Sequence, residues 1–132
     1  MAVYTLAATG NWNSAATWGG AGFPIAGDTA NITGNFTLTV NVASACAIVD
    51  FTGFTGTLTV NNTLTVTGNI TFVNGFTINT TAGTPALTKT TGGTLTMPAA
   101  GFTWPYAINF AGGSTYTLST GDLTINGTLT CT

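Results

Sequence analysis

Asp28, Asp50, Asp122, Lys89, Cys46 and Cys131 are the side chains here whose types could do acid–base, nucleophilic or metal chemistry, and no histidine accompanies them. Without histidine the chain lacks the usual proton shuttle and the commonest metal ligand. Glycoside cleavage needs two carboxylates at a set separation, and these three aspartates are dispersed along the chain. Asp28 lies in a Gly-Asp turn and Asp122 in "STGDLTI", places where a carboxylate commonly accepts bonds from nearby backbone amides. Asp50, between Val49 and Phe51, has no such explanation. Calcium needs clustered oxygens, and no acidic cluster is present. Serine and threonine have no visible base, and Cys46 has no histidine partner. One lysine cannot neutralise a row of phosphates, which excludes nucleic acid as a partner. The expectation is a protein that is not an enzyme, with no catalytic residue, no cofactor and no metal. Cys46 and Cys131 read either as one disulfide or as a buried apolar thiol and a thiol near a frayed end.

The elements that position these residues follow from composition. The 132 residues suit a single domain. Only 3% are charged while 44% are hydrophobic, against about 25% charged in an average soluble protein. Polarity comes from threonine, asparagine and glycine. Thr, Val, Ile and Phe favour a pleated, half-buried surface, and Glu and Arg are absent. The class is all-β. Apolar runs fall far short of the roughly 18 residues of a helical membrane span, and the short beats fall short of outer-membrane barrel strands. No membrane insertion is expected. The opening "MAVYTLAATGNW" shows no basic and apolar leader, which suggests synthesis in the cytoplasm.

Leu58 and Val60, Leu64 and Val66, Ile70 and Phe72, then Phe76 and Ile78 form apolar pairs that recur every six residues, each pair split by one threonine. Alternation puts each pair on one face of a short strand and the threonine on the other. Two-residue hairpins would flip the apolar face at every turn. Three-residue loops restore parity but favour glycine at the third position, which only Val73-Asn74-Gly75 supplies. A chain winding forward keeps one face inward with no such adjustment. The strings "FTLTVN" from Phe36, "GTLTVN" from Gly56, "GFTINT" from Gly75, "GTLTMP" from Gly93 and "YTLSTG" from Tyr116 recur at coil-like intervals of about 17 to 23 residues. The predicted fold is a parallel β-solenoid, or β-helix, of about five coils with an N-terminal aromatic cap. An antiparallel β-sandwich or meander is the competing arrangement, for which Asn74-Gly75 and Asn126-Gly127 are the signals.

Two stretches break the beat. Residues 1–32 are assigned to a cap region and 33–132 to the coils. Within the first, Trp12, Trp18 and Phe23 read as a lid over the open end of the first coil, as terminal repeats require. The alternative is a platform on which Trp12 and Trp18 stack sugar rings. The second stretch, "MPAAGFTWPYAINF" at 97–110, reads as an irregular loop bulging from one coil. Its aromatics either fold onto the core or a subunit interface, or they project for recognition. In the second case Trp104 and Tyr106 are the first ligand candidates.

Gly-x-Trp, then Thr-Trp-Gly-Gly, then Pro-x-x-Gly-Asp and a strand, followed by Cys46 and "DFTGFTGTLTV", resembles the start of β-solenoid surface proteins of phages and prophages. A related opening occurs in secreted β-helix proteins. The resemblance is clearest over residues 10–66, and its residues are mostly structural. It implies a non-enzymatic structural protein of a phage particle, a capsid decoration protein or a tail-fibre or spike element. It also implies a homo-oligomer, a trimer foremost, bound to other virion proteins and located on the virion. The competing reading is a carbohydrate-binding or adhesive module, extracellular or on the cell surface, with host glycan as its ligand. It rests on exposed aromatics and amide-rich polarity.

Overall fold

The computed structural model describes residues 1–112 and 114–132. A partial first coil holds β1 (Val3–Thr5) and β2 (Gly10–Asn11), followed by a 3-10 turn at Ala15–Trp18. Three-sided coils follow: β3 (Thr29–Asn31), β4 (Thr37–Val40) and β5 (Ser44–Cys46); then β6 (Ile48–Asp50), β7 (Thr57–Val60) and β8 (Thr63–Val66). The next two are β9 (Ile70–Thr71), β10 (Thr77–Asn79) and β11 (Ala86–Lys89), then β12 (Gly93–Thr96), β13 (Phe102–Trp104) and β14 (Ala107–Phe110). The last is β15 (Tyr116–Ser119), β16 (Leu123–Ile125) and β17 (Leu129–Cys131). The chain is a parallel β-solenoid of about five turns.

Every paired strand among the described residues is parallel, which overturns the antiparallel sandwich or meander. The first face runs β1-β3-β6-β9-β12-β15 and the third β5-β8-β11-β14-β17. The second is split into β2-β4-β7-β10 and β13-β16. The six-residue beat is one side of this prism. Leu58 and Val60 lie on the second face, Leu64 and Val66 on the third, Ile70 opens the first face of the next coil, and Ile78 returns to the second.

The recurring strings belong to two faces. Those from Phe36, Gly56 and Gly75 feed β4, β7 and β10, where Leu38, Leu58 and Ile78 align at intervals of 20. Those from Gly93 and Tyr116 form β12 and β15 on the first face, where partners lie 19 to 26 apart. Corners of variable length absorb the difference. Some corners demand glycine: a Cβ on Gly56 would overlap the Phe36 carbonyl of the coil below.

Side chains of alternate residues fill the interior. Leu38, Val40, Leu58, Val60, Ala30, Val49, Leu95 and Ile108 are fully buried. Along the corner between the first two faces runs a column of rings. Phe51 stacks on Phe72 at 5.8 Å and on Phe76 at 4.9 Å, and Phe72 stacks on Phe102 at 4.4 Å. Each such pair adds about 0.5–1.5 kcal/mol beyond its area burial. The outward threonines line up between coils, with Thr65 beside Thr88 and Thr71 beside Thr96. Ser119 donates to Thr96 at 3.3 Å and Thr59 to Asn79 at 2.8 Å.

Three expectations need correction. Residues 97–110 are not an irregular loop, because β13 and β14 lie within them and bury Phe102, Trp104 and Ile108. The prolines at 98 and 105 sit at corners, where a missing N–H costs no rung bond. Residues 1–32 are not a cap alone, since β1 and β3 within them already form the first face. An internal disulfide is ruled out by distance. Cys46 and Cys131 occupy the same inward row of the third face, separated by Val66, Lys89 and Phe110. Four rungs of about 4.8 Å separate them, against less than about 7 Å for a bridge.

Candidate functional site

The four aromatic candidates fall into two groups at different levels of the prism. Trp12 and Trp18 are 1% and 4% exposed. Trp12 donates its indole N–H to the Pro24 carbonyl at 3.0 Å, and Trp18 donates to the Trp12 carbonyl at 2.7 Å. Their rings meet edge-on at 5.2 Å. They are the lid, and their faces are spent on each other and the core. That overturns the sugar platform at Trp12 and Trp18.

Asp28 completes the lid. Its carboxylate accepts from the Ala2 amide at 2.6 Å and the Ile25 amide at 3.2 Å. These bonds, the Ala2 one foremost, hold its pKa below the ordinary value. Asp50, unexplained by sequence, accepts at 2.9 Å from the amide and at 2.6 Å from the hydroxyl of Thr52, a local turn of the kind aspartate favours.

Trp104 is 1% exposed and donates to the Ala107 carbonyl at 3.2 Å. It is a core residue, so burial removes it as a surface ligand site. Tyr106 is half-buried, meets Trp104 edge-on at 6.3 Å, and has its hydroxyl pKa raised by desolvation.

Lys89, the sole cationic side chain, lies inside the prism with no exposed surface. Its Nζ donates to the Gly68 carbonyl of the preceding coil and stands 6.0 Å from the Tyr116 ring. Burial lowers its pKa, while burial pushes the Cys46 thiol up to about 12. Neither group is open to a substrate.

A concave site that does reach the surface was not singled out by sequence. A cleft of about 450 Å³ opens on the second face where that face is split. Phe76, Ile78 and Phe102 line its apolar part, and Asn74, Thr103, Asp122 and Thr124 its polar part. The fourth and fifth coils are joined on the first face by β9–β12 and on the third by β11–β14, but β10 and β13 do not pair.

Asn61 anchors one turn beside the cleft. Its side-chain oxygen accepts from the Thr81 amide at 2.9 Å and the Ala82 amide at 3.2 Å, and its amide nitrogen donates to Thr81 at 2.9 Å. The turn after β10 is thereby tied down to the coil below. The sequence signal for this, an asparagine at a corner beside a Thr-Thr-Ala-Gly run, is too common to read in advance.

No protein-family model, curated protein or solved structure matches the chain.

Proposed function

We propose that the chain is a non-enzymatic structural element of a phage particle, a capsid decoration protein or a short piece of a tail fibre or spike. The observation that carries this reading is the use made of the opening motif. Trp12, Trp18 and Asp28, the residues on which the likeness to phage surface solenoids rests, are spent on building the lid. Such a lid supports a body whose work is mechanical. Rungs locked by parallel hydrogen bonds, with a ring column inside, resist local opening, most of all where a strand has a neighbour on both sides. The outward threonine rows let coils stack without like-charge repulsion.

In this reading the protein works as one copy among several, docked on other virion proteins, and a closed trimer is the expected form. Light scattering on a sizing column, with negative-stain images of the same peak, tests it. A defined oligomer of constant mass on dilution is the expected result. A 13.3 kDa monomer at every concentration contradicts the homo-oligomer.

A further inference from the structure

We propose that the cleft between β10 and β13 is a docking slot for one extended peptide segment of a partner protein, a segment that carries a lysine or arginine. In a parallel ladder, successive residues of a strand direct their amide and carbonyl to opposite neighbours. The Thr77 amide donates to the Gly56 carbonyl at 3.0 Å, toward β7. Ile78 therefore aims its N–H and C=O the other way, into the cleft. On the far wall the Phe102 amide donates to Asp122 at 2.8 Å and the Trp104 carbonyl accepts from Asn126 at 3.0 Å, both toward β16. Thr103 therefore aims its own pair back into the cleft. Among the described residues β10 and β13 exchange no rung bonds, so both pairs are free for a guest strand.

The floor supports the same occupant. Phe76 and Phe102 touch beneath the gap at 5.8 Å and offer an apolar surface to every second side chain of an extended guest. The turn after β10, which could otherwise fold over the gap, is held by Asn61 against the coil below.

Charge selects the guest. Asp122 is the ionisable side chain at the rim and is exposed, so a cation on the guest finds a partner there. A second copy of this chain has no exposed lysine or arginine side chain to supply, because Lys89 is its single one and is buried. A sugar could meet the hydroxyls and the carboxylate but would not match the two facing strand edges. The guest is a strand of another protein, recognised by backbone pairing. This deepens the assembly reading by giving it a contact with a non-identical partner. The two fail separately, since native mass tests self-association and peptide binding tests the slot.

The test is to pan a random octapeptide display library against the full chain, with counter-selection on the Asp122→Lys variant. Binding of the enriched peptides is then mapped by amide NMR. The expected peptides contain a lysine or arginine and move the amides of Ile78 and Thr103. Changing the basic residue to glutamate, or N-methylating the peptide backbone, weakens them about tenfold or more. Thr103→Pro, which removes an N–H that the β13–β16 ladder does not use, has the same effect at unchanged melting temperature. If that variant melts lower, the N-methylated peptide alone decides. Failure to enrich any sequence over the Asp122→Lys target overturns the proposal. So does mapping to another surface, undiminished binding by the N-methylated peptide, or capture of neutral glycans at these same amides.

Discussion

Lys89 illustrates how parity along a short strand outranks charge. In "ALTK" the side chain two positions after Leu87 must share its face, so burying Leu87 also buries Lys89. The sequence carries this signal, and it is easily passed over because lysine is expected outside. Burial lowers the Lys89 pKa below its ordinary 10.5. Between the lowered value and 10.5 the unfolded chain holds a proton that the folded chain has released, so this residue makes stability rise with pH across that window. Cys46 and Tyr106, both raised by burial, act in the opposite direction. The difference between wild type and Lys89→Met isolates the lysine. Urea melts at several alkaline pH values should show the variant more stable, with an advantage that shrinks as pH approaches 10.5. An advantage independent of pH would contradict a buried titrating amine.

A second residue-scale prediction contrasts neighbours on one strand. Leu64 is 2% exposed while Thr65 points outward beside Thr88. Leu64→Asp places an unpaired carboxylate inside at a cost of several kcal/mol, a large share of the ~5–15 kcal/mol that holds a domain together. Thr65→Asp leaves its carboxylate in water. Soluble yield and circular dichroism should separate them clearly, and equal tolerance would reverse the inward and outward assignment.

At the scale of the element, corners decide more than strands. The coils differ in length, yet rungs stay in register because corners take up the surplus, and some corners allow no side chain. Gly56→Ala pushes a methyl group against the Phe36 carbonyl and should destabilise by about 1–3 kcal/mol. Thr55→Ala, one residue earlier and exposed, should change stability by less than about 0.5 kcal/mol. Chemical denaturation of the two variants side by side is the check.

Strand identity was legible from the Leu-Thr-Val triplets, because period-2 alternation is local. The stretch 97–110 was misread because its prolines and aromatics look like loop composition, whereas Trp104 fills the interior and Pro105 occupies a corner. Asn74-Gly75, a strong hairpin signal, stands at a corner instead. The break between β10 and β13 was not legible at all, since it is a matter of pairing between coils far apart in sequence and no local pattern encodes that.

For the whole molecule, the governing choice is between winding forward and folding back. Constant parity across four beats pointed to winding, and that choice sets everything larger. It places both cysteines in one inward row four rungs apart, puts the lid at one end, and leaves Leu118 and Leu129 of the last coil half-exposed. The ladder positions directly below them, Leu95 and Ile108, are fully buried. The measurement that tests this winding most directly is a set of interstrand proton contacts by NMR on the isotope-labelled protein. The account predicts parallel-strand contacts between the α-protons and amides of β4, β7 and β10, linking Leu38 to Leu58 and Leu58 to Ile78 across 20 residues each. Short α-proton to α-proton contacts between consecutive strands, Val60 against Leu64 above all, are the mark of an antiparallel meander and would contradict it.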